Sequence, residues 1–201
     1  MKRMNTEEGF TGLEAAIVLI AFVVVAAVFS YVVLGAGFFT TQKAQEVVYT
    51  SVDQASSSVE ILGQVYGYGT YDGGADAYTD IGKVQFKVGL TAGGSPVDFS
   101  KTSITFVTDT NVSRLQPAGD QKVAASAVTS GKWGVIEIFN APGDDLLLEN
   151  QEQFVILASP VASDNVTANQ NFHIEIRPSV GASYSINKKV TPSIGAVNVL
   201  N

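Results

Sequence analysis

The chain has 201 residues, 46% of them hydrophobic and only 15% charged, with a net charge of −7 and no cysteine. An ordinary soluble domain carries roughly 25% charged residues, so this chain has an apolar excess, and it lies near the N-terminus. The negative balance excludes nucleic-acid binding through phosphate neutralisation, and the absence of thiols excludes disulfides, zinc–thiolate sites and a cysteine nucleophile.

Residues 1–9 are short and polar, with Lys2 and Arg3 at the front. An apolar run follows from Leu13 to about Leu34, and Glu14 is its one charged residue. Ile17, Val18, Leu19, Ile20, Phe22, Val23, Val24, Val25, Val28, Phe29, Val32 and Val33 together favour membrane insertion by roughly 5 kcal/mol. About 20 helical residues span the hydrocarbon layer, so the length also fits. An ordinary secretory signal has a shorter apolar core followed by a small-residue cleavage site; this run is too long and no such site follows. A permanent anchor and a prepilin-type signal, cut ahead of the apolar run, both remain. Gly9-Phe10-Thr11-Gly12-Leu13-Glu14 matches the second pattern. The cut falls between Gly9 and Phe10, Phe10 becomes the new N-terminus, and Glu14 becomes the fifth residue of the product. Lys2 and Arg3 would hold the leader on the cytoplasmic side.

Glu14 has two readings that can coexist. Thr11-x-x-Glu14 before an apolar run is a capping-box pattern, in which both side chains satisfy N–H groups at a helix start. Alternatively, Glu14 meets the α-amino group of a neighbouring copy, because a buried carboxylate needs a partner.

Helical character continues past Val33. Gly35-Ala36-Gly37 is a place where the helix can bend, since glycine costs about 1 kcal/mol in a helix interior. Beyond it Ala44, Val48, Val52, Ala55, Val59 and Leu62 recur every three or four residues, the spacing of a seam packed on other helices. Polar Gln42, Lys43, Gln45, Glu46, Asp53, Gln54 and Ser58 take the other faces. A helix over 12–62 would be roughly 75 Å long, and only its first part fits in lipid. Identical neighbours are the simplest partner for the rest. The front half then exchanges the bilayer for a bundle of like helices, which is feasible because such side chains are about as apolar as lipid tails. Glu14, Ile17, Ile20, Val24, Val28, Ala44, Val48, Val52 and Val59 are the candidate assembly residues. A membrane-anchored monomer with a helical stalk is the competing arrangement.

These segments carry a family likeness. Gly9-Phe10-Thr11-Gly12-Leu13-Glu14-Ala15-Ala16-Ile17-Val18-Leu19-Ile20-Ala21-Phe22-Val23-Val24-Val25-Ala26-Ala27-Val28 resembles the processed N-terminus of archaellins, a branch of the type IV pilin-like proteins. Gly37-Phe38-Phe39-Thr40-Thr41-Gln42-Lys43-Ala44 resembles the segment that follows, and Asp53-Gln54-Ala55-Ser56-Ser57-Ser58-Val59-Glu60-Ile61-Leu62-Gly63 resembles its helix exit. The likeness covers about residues 9–63. It departs from the pattern at Glu14, a hallmark of type IV pilins that many archaellins lack. The resemblance implies cleavage by a membrane-embedded prepilin-type peptidase and polymerisation into an extracellular motility filament without a central channel. It also implies rotation by a separate ATPase motor, with no nucleotide, cofactor or small-molecule substrate on the subunit. An adhesion pilus and a membrane-anchored accessory protein are the alternatives.

Residues 64–201 change texture. Alternating segments at 83–90, 102–108, 132–139, 153–157, 172–178 and 183–190 are separated by Gly/Pro/Asp turns. This predicts an antiparallel β-sandwich, and the resemblance implies an Ig-like one. The expected class is therefore α+β: a signal peptide at 1–9, a polymerisation helix at 10–62 and an outer sandwich at 63–201.

His173 is the only histidine, and it alternates with Phe172, Ile174 and Ile176 on a polar strand face shared with Glu175 and Arg177. No nucleophile elbow accompanies it, so no catalytic residue is expected. Asp72, Asp76 and Asp80 could offer oxygens to calcium, but their spacing is not that of an EF-hand, and a solvated Gly/Asp loop explains them without a metal. Tyr66, Tyr68, Tyr71 and Tyr78 read as a loop packed on the sandwich, or as a subunit contact. Asn111-Val112-Ser113 and Asn165-Val166-Thr167 are glycosylation sequons, and a chain rich in Asn, Ser and Thr forms such triplets easily by chance.

Overall fold

The structure, a computed structural model, describes residues 6–200. The chain divides into two compact units, residues 1–50 and 51–201. Helix α1 (Thr6–Ser56) accounts for the first and runs without interruption for 51 residues, about 76 Å at 1.5 Å per residue. Gly35 and Gly37 do not break it. In the uncut chain its helical backbone begins at Thr6, ahead of Thr11 and Glu14.

The helix also ends six residues earlier than expected, and here the structure corrects the reading of the seam. Val59 and Leu62 are not helical. Val59 lies in β1 (Val59–Ile61), paired with Leu90 and 3% exposed, and the Leu62 N–H donates to the Lys87 carbonyl at 2.8 Å. Two local causes act together. Ser56, Ser57 and Ser58 are weak helix formers, and the carbonyls of the last two find other partners. The Ser57 carbonyl accepts from the Ala182 N–H at 3.2 Å, and the Ser58 carbonyl from the Thr91 N–H at 3.2 Å. β-Branched Val59 and Ile61 then favour a strand.

After α1 the regular structure among the described residues is all β apart from short 3-10 turns. Its strands are β2 (Val65–Asp72), β3 (Ala77–Leu90), β4 (Val97–Asp98), β5 (Ser103–Thr108), β6 (Val112–Pro117) and β7 (Lys132–Phe139), then β8 (Leu147–Leu148), β9 (Gln153–Ser159), β10 (Val166–Thr167), β11 (Asn171–Arg177), β12 (Tyr184–Lys189) and β13 (Val197–Leu200). Hydrogen bonding orders them β12-β11-β5-β6-β7-β9-β3-β2-β13, with β1 and β10 also on β3 and a separate β4-β8 pair. All pairings are antiparallel except β6–β7, which meets only at Gln116–Lys132 and Pro117–Trp133. That short parallel joint links two antiparallel layers.

The period-2 pattern fills the space between them. Ile104 and Phe106 of β5, with Phe172, Ile174 and Ile176 of β11, share one core cluster with Val84, Phe86 and Val88 of β3 and Phe154, Ile156 and Ala158 of β9. Each is at most 3% exposed. Phe106 stacks on Phe172 with centroids 5.2 Å apart, and Phe99 meets Phe154 edge-on at 5.5 Å. The α+β class and the antiparallel sandwich thus hold.

All six predicted strands are present. The tyrosine segment is a correction: 65–80 is not a loop but the β2–β3 hairpin, which turns at Gly73 and Gly74. Its glycines have packing reasons. A Cβ at Gly67 would sit 3.0 Å from the Ile81 Cγ2 and 3.1 Å from the Leu200 Cδ1, and one at Gly69 would collide with the Gly195 carbonyl oxygen.

Candidate assembly helix and surface sites

Apolar side chains cover every side of α1 between Ala15 and Phe39, because consecutive runs such as Ile17-Val18-Leu19-Ile20 and Phe22-Val23-Val24-Val25 leave no polar face. A helix that is apolar all round belongs in a core or a membrane. Ile17, Ile20, Val24 and Val28 are each more than half exposed. The segment Gly12–Val52 is long and apolar enough to cross a membrane.

The polar groups of this helix are suited to the same surroundings. The hydroxyls of Thr40, Thr41 and Thr50 return to the carbonyls of Ala36, Gly37 and Glu46 at 2.8, 2.9 and 2.9 Å. They are satisfied inside the helix and ask nothing of lipid or a neighbouring helix. Lys43 and Glu46 pair one turn apart at 2.5 Å. Ala44, Val48 and Val52 are helical and exposed as a seam requires, whereas Val59 belongs to the β-unit's own core. Glu14 is helical and exposed. Gly9 and Phe10, either side of the expected cut, lie on helical backbone. Lys2 and Arg3 of the expected leader lie outside the described residues.

Elsewhere, side chains serve the local fold. His173 faces outward, with Val107 and Asn187 as its cross-strand neighbours, neither a nucleophile nor a carboxylate. The three aspartates of the hairpin are engaged separately. Asp72 accepts the Gly74 N–H at 2.9 Å, Asp76 accepts the Tyr71 hydroxyl, and Asp80 accepts Nδ2 of Asn165 at 2.8 Å. The Asp76 hydrogen bond, more than burial or Tyr78, raises the Tyr71 pKa. Tyr71 and Tyr78 meet edge-on at 5.4 Å, and the Tyr68 hydroxyl donates to Oε1 of Gln85 at 2.6 Å.

Asn111 sits at the β5–β6 turn and Asn165 just before β10. Sequence reasoning missed the residue that holds the first of them, Asp164. It is 4% exposed and accepts from the side chains of Asn111, Ser113 and Ser163. The Ser113 hydroxyl is the main cause that lowers its pKa; burial opposes, and Asn111 and Ser163 add to the lowering. Nothing in the local Ser-Asp-Asn sequence marks this role, because two of the donors, Asn111 and Ser113, are distant in the chain.

The chain matches the family model for archaeal-type flagellin over residues 9–188. It is 42% identical to probable flagellin 1 of Archaeoglobus fulgidus, covering 100% of this chain and 98% of that one. It is 44% identical to probable flagellin 2 of the same organism, with 96% and 94% covered. Among solved structures it resembles a chain from the archaeal flagellum of Methanospirillum hungatei strain JF1, with a TM-score of 0.69, 32% identity, and 94% of this chain and 99% of that one covered.

Proposed function

The chain belongs to the archaeal-type flagellin family, and from that premise we infer that it is a structural subunit of the archaeal flagellum, polymerised through α1. It is a filament protein, not an enzyme, and its place is in the extracellular filament. Family membership favours the motility filament over an adhesion pilus or an anchored accessory protein. The observation that carries the role of the helix is that α1 is apolar on every side between Ala15 and Phe39, with Ile17, Ile20, Val24 and Val28 each exposed. Fully burying one Val, Leu, Ile or Phe is worth about 1.5–3 kcal/mol. Copies of the same helix provide that burial repeatedly, with Ile17, Ile20, Val24 and Val28 in the front half and Ala44, Val48 and Val52 behind them.

Before assembly, α1 rests in the membrane and a prepilin-type peptidase removes residues 1–9 between Gly9 and Phe10. The family match beginning at residue 9 supports that boundary. In the filament Glu14 receives the α-amino group of a neighbour's Phe10. The two sequons are acceptors for sugar, usable because the protein is exported. Mass spectrometry of the terminal peptide from purified filaments is expected to read from Phe10; subunits that retain residues 1–9 would overturn the cleavage. Filaments of normal yield and order from Glu14→Gln would reject the amino-group pairing.

A further inference from the structure

The sequons at Asn111 and Asn165 are distant in the chain, yet folding places each acceptor amide on a carboxylate. Oδ1 of Asp164 accepts from Nδ2 of Asn111 at 2.5 Å, and its Oδ2 accepts from Oγ of Ser113. One buried side chain therefore holds both the amide and the hydroxyl that define the first sequon. The backbone is held too. The Asn111 N–H donates to Oγ1 of Thr108 at 3.1 Å, the Asn111 carbonyl accepts the Thr108 N–H at 2.9 Å, and Ser113 pairs with Phe106 in the β5–β6 ladder. At the second sequon Nδ2 of Asn165 donates to Oδ1 of Asp80 at 2.8 Å. Thr167 pairs with the backbone of the same Asp80, and Val166 between them is fully buried.

Sugar transfer to asparagine needs the amide free. Nδ2 attacks the anomeric carbon of a lipid-phosphate-linked sugar and the carbon–oxygen bond to the phosphate breaks. The phosphate leaves with the electron pair, and Nδ2 gives up one proton. A mobile surface loop meets that requirement, whereas an amide donating to a carboxylate in a paired strand or tight turn does not. A modified amide keeps one N–H, enough to restore its hydrogen bond when the chain closes afterwards.

We propose that the folded β-unit is closed to this reaction, that both asparagines take sugar only before the strands close, and that Asp164 is the residue gating Asn111. This rests on the reading of the sequons as acceptors. The test offers purified full-length chain in detergent to membranes containing an archaeal oligosaccharyl transferase and a lipid-phosphate-linked oligosaccharide. Unfolded peptides spanning 106–118 and 160–171 serve as reference acceptors, and occupancy is read by glycopeptide mass spectrometry. The peptides are expected to be modified and the folded chain to react at least roughly tenfold more slowly, as hydrogen bonds to a charged partner must first open. Asp164→Ala is expected to open Asn111 alone and Asp80→Ala to open Asn165 alone, a selectivity that general unfolding does not produce. Folded chain modified as fast as the peptides overturns the gate, and so does either variant opening both sites. Peptides that stay unmodified remove the acceptor reading itself, and the gate with it.

Discussion

The two units of this chain treat apolar surface in opposite ways. In the β-unit, Phe86, Phe99, Phe106 and Phe154 are all closed off from water, within a single core shared by both layers. In α1, Phe22, Phe29, Phe38 and Phe39 are each more than 60% exposed. The sandwich thus buries its own apolar side chains, while the helix exposes apolar surface that calls for a covering partner. Stability and assembly are separable properties of this molecule, written in different residues. A purely solvated helix of this composition would be unstable in water, which is why the polymer or the bilayer has to complete it.

Substitutions can break that division if it is wrong. The largest effect is expected from Val24→Asp. A charge at the centre of a membrane-resident helix costs about 2.5–3.5 kcal/mol on insertion, and every copy in a bundle would carry it. Filaments should vanish in electron micrographs, while the melting of the β-unit, followed by near-ultraviolet circular dichroism, stays unchanged. A shifted melt would show that the units are not independent. Next comes Phe106→Ala. Truncating a fully buried phenylalanine typically costs about 3–5 kcal/mol, so the melting temperature should fall steeply, read by the same signal. Gly181→Ala is smaller. Gly181 has φ +102, and its Cβ would collide with the Ser57 carbonyl, the oxygen that accepts the Ala182 N–H. A loss of about 1–3 kcal/mol is expected from the strained backbone, measured by urea unfolding. An unchanged midpoint would mean that the chain after α1 is not fixed where it enters the β-unit.

The same division explains which parts were legible in the sequence. The apolar run was plain because a bilayer-length stretch of Val, Ile, Leu and Phe has few other meanings. Strand β11 was plain because Phe172, Ile174 and Ile176 alternate strictly with polar residues, and β5 because Ile104 and Phe106 flank Thr105 in a β-branched segment. The end of α1 was not. Val59 and Leu62 keep the helical spacing of Ala44, Val48 and Val52 by coincidence, and what stops the helix is capture of the Ser57 and Ser58 carbonyls by Ala182 and Thr91, which no local pattern reveals. The β2 strand was hidden because Gly67 and Gly69 read as loop residues, whereas they are there for close approach to Ile81, Leu200 and Gly195. Asp164 was invisible for a similar reason: its partners Asn111 and Ser113 are neighbours only after folding.

Asp164 gives the finest test of the β-unit's independence. Its carboxylate holds the charged form more readily when folded, first through the Ser113 hydroxyl and then through Asn111 and Ser163, against the opposing effect of burial. An unfolded aspartate titrates near pH ~3.9. A folded pKa below that value means that the ionised group stabilises the fold fully above the unfolded pKa. The contribution falls away as pH drops through the folded pKa and is gone beneath it. Asp98 behaves in the same direction, chiefly through the Ser100 hydroxyl and then Lys101, so wild type alone cannot isolate Asp164. Comparison with Asp164→Asn can, because Asp98 is common to both. The variant should be less stable by about 1–3 kcal/mol at neutral pH, since the amide cannot accept from both Asn111 and Ser113. Urea midpoints of the two proteins should then converge as pH falls below about 4. A gap that persists at pH ~2 would assign the loss to shape rather than charge. If filament formation by the variant at neutral pH fell along with its β-unit stability, the two units would be coupled after all.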